Sequence, residues 1–112
     1  MATEVGKPTS NPEADRLRRI APKLMELTGS VLFGDMWERP QLSKRDRSLI
    51  VCATLIGAYR PEQLRVHLGL ALKHGVTKEE ISEIITHLAF YAGWPAAATA
   101  ANIACDVFDA TS

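Results

Sequence analysis

The chain has 112 residues, which suits one domain with a modest core, and its 13 basic and 13 acidic side chains give a formal net charge of zero. This balance argues against electrostatic binding of nucleic acid, because neutralising phosphates takes clustered Lys and Arg. Apolar residues make up 46% of the sequence, yet no apolar run reaches the roughly 20 residues that span a bilayer. The N-terminus also has no secretory apolar segment. We therefore expect a cytoplasmic protein that binds neither nucleic acid nor a membrane.

The first part of the chain predicts a tail, a helix and a loop. Residues 1–11 are rich in Pro, Ser, Thr and Gly and have no hydrophobic periodicity. We expect them to form a flexible tail before a folded domain over residues 12–112. An N-cap, a proline and an acidic residue in succession start a helix over residues 12–28, which Pro22 must kink or break. Residues 28–42 then predict a loop with hydrophobic anchors, in which a short helical turn is allowed.

The rest of the chain predicts four more helices and no strand. Their starts are marked by a Ser with an Asp three residues on, by two prolines and by a Thr-x-x-Glu capping box, and glycines follow two of their ends. The predicted helices cover residues 44–59, 61–74, 78–92 and 95–109. The fold class is therefore all-α. The alanine-rich last helix favours close helix packing and a subunit interface.

The two cysteines predict no redox chemistry. Cys52 and Cys105 are far apart in sequence, and neither belongs to a C-x-x-C pair. Both have apolar neighbours in the chain, so we predict two buried, reduced thiols that behave as small hydrophobes.

The helix over residues 61–74 is predicted to have two different faces. The apolar face supplies the core contact and holds Leu64, Leu68, Ala71 and Leu72. The other face holds Arg60, Gln63, His67 and His74. His67 could exchange a proton near neutral pH, and the alternative is a histidine that packs in a core or an interface.

The other two histidines have plainer interpretations. His74 stands at the end of its helix, where a cation or a capping group is favoured. His87 has apolar neighbours in the chain, a setting that is more typical of a buried packing residue. The three histidines lack a second close-spaced set of ligands, so no metal site is predicted.

Five short motifs follow one another over residues 33–107. They are Trp37-Glu38-Arg39-Pro40, Arg45-Asp46-Arg47-Ser48, Glu62-Gln63-Leu64-Arg65-Val66-His67, Gly75-Val76-Thr77 and Tyr91-Ala92-Gly93-Trp94-Pro95. In this order and spacing the sequence resembles the carboxymuconolactone decarboxylase family, part of the alkyl hydroperoxidase D-like superfamily. The resemblance implies a small all-helical domain that assembles into a homo-oligomeric ring, a homotrimer or a homohexamer.

The resemblance separates two kinds of chemistry within the superfamily. Redox members carry a C-x-x-C pair followed by a histidine four residues later, with a glutamate on the preceding helix. In this sequence Arg60 and Gln63 stand where those cysteines would precede His67, and the glutamate position falls near Ser48. Neither Arg60 nor Gln63 can do thiol chemistry, so a thiol peroxidase is disfavoured.

The decarboxylase branch implies a reaction without a cofactor. It removes CO2 from 4-carboxymuconolactone, a product of aromatic catabolism, and forms an enol lactone. The electron pair that is left delocalises onto the lactone carbonyl, so this carboxylate substrate carries its own electron sink. The alternatives are a related lyase or isomerase of unknown substrate and a non-catalytic oligomeric member of the fold.

The resemblance and the chemistry together suggest a set of site residues. His67 would donate the proton or bond the oxyanion, and Glu62 would orient or recharge it. Arg39 and Arg47 would grip carboxylates, because a guanidinium matches their geometry. Gln63 and His87 complete the predicted substrate-binding set. Glu62 could instead be an ordinary first-turn acid, and the two arginines could be solvated or held in ion pairs with Glu38 or Asp46.

Overall fold

The computed structural model describes residues 12–111, and within this range the chain contains helices and no strand. The α-helices are α1 (Pro12–Ile20), α2 (Pro22–Leu27), α3 (Lys44–Gly57), α4 (Pro61–Lys73), α5 (Lys78–Ala92) and α6 (Trp94–Ala110). The predicted all-α class is confirmed. The predicted tail over residues 1–11 lies outside the described residues. By their internal contacts the described residues divide into two units, one that ends at Leu42 and one that begins at Ser43.

The N-terminal unit contains α1 and α2, which Pro22 separates as expected. Ala21 leaves the helical region, with φ −143° and ψ 68°, because the residue before a proline is pushed towards extended backbone. The predicted loop, in which a short helical turn was allowed, is more helical than expected: Thr28–Phe33 is a π-helical turn and Met36–Glu38 a 3-10 helix. Thr28 accounts for part of this difference, since its Oγ1 donates to the Leu24 carbonyl at 2.8 Å and ties the turn back to α2.

In the C-terminal unit, α3 packs against α4, α5 and α6, and α6 packs against α4 and α5. The predicted boundaries of all four helices are correct to within two residues. Local caps explain this agreement: Ser43 accepts from the backbone N–H of Asp46, and Thr77 and Glu80 form the complete capping box that was predicted.

The core of this unit is built mainly from small and branched side chains. Five alanines belong to its buried cluster, and none of the members of that cluster is aromatic, which suits the low aromatic content. The buried cluster comprises Cys52, Ile56, Leu64, Leu68, Ala71, Val76, Ile81, Ile85, Ala89, Ala97, Ala100, Ile103, Ala104 and Val107.

The prediction that both cysteines are buried is right for Cys52 and wrong for Cys105. Cys52 exposes 2% of its surface and belongs to the core, whereas Cys105 is exposed on α6. The reason is helical geometry. Ile103, Ala104 and Val107 occupy the inner side of α6, and Cys105 points elsewhere because successive residues turn by about 100°.

Among residues 12–111, no helix has both the length and the apolar character that crossing a bilayer requires. In the same range, no group of three His, Cys, Asp or Glu side chains is arranged to hold a metal ion.

Candidate active site

The two predicted faces of α4 are found in the structure. Leu64, Leu68 and Ala71 are buried against the core, as the spacing indicated. His67 lies at the edge of this apolar face, where its side chain is half-buried and its Nδ1 atom is buried. The Nδ1 side of the imidazole is therefore shielded from solvent, while another part of the side chain is exposed to it.

Contacts with α3 hold this part of α4. The Sγ of Cys52 donates to the backbone carbonyl of His67 at 3.6 Å. One turn earlier in α3, the Oγ of Ser48 lies 2.9 Å from the Nδ1 of His74. Because the earlier residue of α3, Ser48, meets the later residue, His74, while Cys52 meets His67, the two helices run antiparallel. His74 is the C-cap residue of α4, which confirms its predicted place at the helix end.

Burial lowers the pKa of His67 below its usual 6.5, because the charged imidazolium loses hydration. Near neutral pH the ring is consequently uncharged, with one nitrogen that donates and one that accepts. Such a ring can hydrogen-bond an oxyanion or accept a proton.

Cys52 is unsuited to nucleophilic chemistry. Burial raises the pKa of its thiol to about 11, so the reactive thiolate is scarce at neutral pH. The other cysteine, Cys105, is on α6 and not on α4. This geometry agrees with the prediction against a thiol peroxidase.

Glu62 and Gln63 stand in the first turn of α4, and both are exposed. Gln63 precedes His67 by four residues and so lies on the same side of the helix. Glu62 precedes it by five, and the two directions differ by about 140°. Within one chain, α4 therefore brings Gln63 close to His67 and turns Glu62 away.

The two predicted arginines differ in environment. Arg47 is in α3, directly before Ser48, and exposes only 9% of its surface, with Nε buried. Arg39 belongs to the N-terminal unit, where it follows the 3-10 helix as its C-cap residue and is exposed. A guanidinium as buried as that of Arg47 could meet a ligand only at a protected site.

His87 is exposed, so its interpretation as a buried packing residue is wrong. On α5, Ile85 and Ala89 face the hydrophobic core, and His87 lies about 200° around the helix from each of them. Its ring centroid is 5.2 Å from that of Tyr91. The apolar neighbours in sequence misled because they do not all face the core, and Phe90 and Tyr91 are themselves exposed.

His87 instead lines a groove between α3 and α5 with a volume of about 600 Å³. The lining residues are Arg45, Leu49, Ile50, Ala53, Glu80, Glu83, Ile84, His87 and Leu88. His67 is not among them, so one chain does not bring the two histidines together in this groove.

Sequence reasoning missed the charged end of the groove. Arg45 donates to Glu80, which also accepts from the backbone N–H of Thr77 at 2.9 Å. The Thr77 bond and then Arg45 lower the pKa of the Glu80 carboxyl. The signal was present in the spacing, since Arg45, Leu49 and Ala53 recur every four residues on α3.

Comparison with known proteins places these helices in a family. The model of the carboxymuconolactone decarboxylase family matches residues 22–106, which is most of the chain. This range contains α2 to α5 in full and most of α6.

Three curated relatives are similar to the chain. A protein named 4-carboxymuconolactone decarboxylase from Acinetobacter baylyi is 36% identical over 107 residues, which cover 95% of this chain and 80% of the relative. Nitrosuccinic acid decarboxylase from Metarhizium robertsii is 37% identical over 70 residues, 62% of this chain and 49% of the relative. An uncharacterised 15.0 kDa protein from Paracoccus denitrificans is 31% identical over 94 residues, 82% of this chain and 70% of the relative.

The family model and the first of these relatives each extend over most of the sequence, including the helix that carries His67. This chain belongs to the carboxymuconolactone decarboxylase family.

Proposed function

We propose that the protein is a cofactor-independent decarboxylase of a small carboxylate, with 4-carboxymuconolactone as the first substrate to test. The observation that carries this proposal is the 36% identity over 95% of the chain with a relative named for that reaction. The second relative is named for the decarboxylation of another small acid. Together the two names support decarboxylation as the reaction more strongly than they support any particular substrate.

The two named substrates have one chemical feature in common. A lactone carbonyl in one and a nitro group in the other can accept the electron pair that remains when the C–C bond to the carboxylate breaks. CO2 then leaves, negative charge collects on oxygen, and a proton finally adds to carbon. The enzyme has to bind an anion and stabilise the developing oxyanion. A substrate that carries its own electron acceptor needs no cofactor for these steps.

His67 is the residue that we assign to the oxyanion. An imidazole whose pKa is lowered by burial stays neutral at working pH and can donate one hydrogen bond from its N–H. Direct proton donation is less favoured, because it would draw on the imidazolium, which is scarce under these conditions. Gln63, on the same side of α4, would bond the substrate beside His67.

The remaining residues of the site have supporting roles in this proposal. Arg39 and Arg47 would pair with substrate carboxylates, since a guanidinium can bond both oxygens of a carboxylate. Glu62 points away from His67 within α4, so it would act on the His67 of a neighbouring subunit or on bound water. His87 would reach substrate in the same way, across a subunit boundary.

We also propose that the chain assembles into a ring, a homotrimer or a homohexamer. Large apolar side chains are exposed at the junction of α5 and α6: Phe90 by 74%, Tyr91 by 78% and Trp94 by 63%. We call these three the aromatic cluster. Contiguous exposed aromatic surface is typical of an interaction site, and a second copy of the chain would cover it.

The test of the function is turnover of 4-carboxymuconolactone, measured by release of CO2. His67→Ala should lower turnover by about 100-fold or more, the scale on which an oxyanion donor is lost. His67→Asn keeps a donor but cannot relay a proton, so substantial retained activity would support the oxyanion role. His74→Ala, at the end of the same helix, should have a smaller effect than His67→Ala. A folded His67→Ala variant with the parental rate would contradict the assignment.

A further inference from the structure

Two small side chains on α3 make polar contacts with α4 from inside the core. Ser48 exposes 1% of its surface and Cys52 2%. Ser48 Oγ lies 2.9 Å from His74 Nδ1, and Cys52 Sγ lies 3.6 Å from the carbonyl oxygen of His67. The two contacts are one turn apart on α3 and two turns apart on α4.

The geometry of these contacts restrains α4 in two ways. Ser48 and Cys52 are separated by about 6 Å along α3, at a rise of 1.5 Å per residue. Their two partners lie at different points along α4, so together the contacts oppose both sliding and rotation of that helix. Rotation matters here, because it would move the His67 ring into the core or out to solvent.

Apolar packing alone would not require either polar group. A buried hydroxyl costs stability unless it is hydrogen-bonded, and an alanine would fill nearly the same space. The helical N–H four residues on occupies only one lone pair of the His67 carbonyl, which leaves the second for the Cys52 thiol. Burial keeps that thiol protonated, with a pKa of about 11, so it remains a donor.

We infer that Ser48 and Cys52 are positioning residues that set the orientation of α4 and so hold the His67 imidazole at the border between core and solvent. The inference rests on the proposed role of His67 in the reaction. The two residues themselves do not touch the substrate in this account. They act through the backbone of α4 and through His74.

The experiment compares the Ser48→Ala/Cys52→Ala double variant with the parent by the 1H and 15N chemical shifts of the histidine rings. Three histidines are present in the chain, so single substitutions assign each signal. Thr54→Ala is the matched control, because Thr54 Oγ1 bonds the Ile50 carbonyl within α3 at 2.8 Å and its removal spares α4. Cys52→Ser restores a donor and tests rescue. If the double variant fails to fold by circular dichroism, Cys52→Ala alone is compared with Cys52→Ser.

We expect the His67 ring signals to move in the double variant and to stay in place in Thr54→Ala. We also expect kcat to fall by about tenfold with little change in KM, since displacing His67 reduces stabilisation of the transition state more than it reduces substrate binding. Cys52→Ser should recover most of both properties relative to Cys52→Ala. Unmoved His67 signals in a folded Ala variant would overturn the inference. Moved signals with parental kcat would support the positioning and instead contradict the proposed catalytic role of His67.

Discussion

Tyr59 and Gly75 occupy equivalent positions in two helix ends of the same type. After α3, the N–H of Arg60 bonds the Leu55 carbonyl at 2.9 Å and that of Tyr59 bonds Ile56 at 3.1 Å. After α4, Gly75 and the next residue repeat this pattern, which defines the Schellman motif. The motif demands positive φ, which is 97° at Gly75 and 56° at Tyr59. A tyrosine in this conformation is strained, whereas a glycine is not.

We predict that replacing the strained tyrosine by glycine is tolerated much better than replacing it by alanine. Tyr59→Gly and Tyr59→Ala both lose the exposed ring and its 3.4 Å contact with Thr99, but only alanine keeps the strain. The glycine variant should therefore have the higher free energy of unfolding, by about 1 kcal/mol. Urea titration of both variants measures the difference. Equal stabilities would mean that the backbone at Tyr59 carries no strain.

At the other helix end, replacing the glycine by a residue with a side chain should lower stability. A Cβ at Gly75 meets no atom within 4 Å, so Gly75→Ala introduces conformational strain without a clash. We expect it to lower the free energy of unfolding by about 1 kcal/mol. Gly57→Ala is the matched control, because a Cβ there also meets nothing within 4 Å while the residue is helical, and it should be neutral or stabilising.

The buried histidine predicts a particular dependence of stability on pH. The pKa of His67 is lowered in the folded chain. As the pH falls below about 6.5, the imidazole is therefore protonated in the unfolded chain before it is protonated in the folded one, which favours unfolding. This contribution to stability is complete above that pH and is lost as the pH falls through the folded pKa. In His67→Asn it is absent. Urea unfolding at several pH values measures this effect. As the pH falls, the free energy of unfolding should decrease less steeply in His67→Asn than in the parent, and Thr54→Ala should keep the parental slope.

The two thiols should differ sharply in reactivity. A Cys105→Ser variant contains only Cys52, which is buried and has a pKa of about 11. At about pH 8 its reaction with Ellman's reagent should be at least about 100-fold slower in the native protein than in concentrated guanidinium chloride. Rapid native labelling of this variant would show that the core opens at Cys52. The double variant Cys52→Ser/Cys105→Ser tests for thiol chemistry and should leave decarboxylation largely intact.

Assembly through the aromatic cluster is also open to measurement. Sedimentation velocity of the parent at micromolar concentration should give a particle of at least three subunits. Trp94→Glu places a charge in the cluster and should shift the distribution towards smaller species, because burying an unpaired carboxylate is costly. Asp109→Asn, near the end of α6, is the control and should leave the mass unchanged. A parent that sediments as a stable monomer would contradict the ring.

Much of the local structure followed from the sequence because its causes are local. A capping box at Thr77 and a proline at position 22 act on backbone groups within one turn, so helix ends could be predicted from neighbours alone. The apolar face of α4 was also predictable, since the spacing of Leu64 and Leu68 depends only on helical period. The same period placed His67 beside Gln63 and separated it from Glu62.

Only the tertiary structure decided which of the remaining helix faces meet other helices. Cys105 and His87 have apolar neighbours in sequence, yet both are exposed, because periodicity gives the angle between residues of one helix and not the position of the next helix. The contact of Ser48 with His74 joins residues 26 positions apart. No local rule selects such a pair, since it arises from the packing of α3 against α4. Thus the sequence by itself determined the helices and the residues that share their faces, while packing determined which of those residues are buried, bonded or left at the surface.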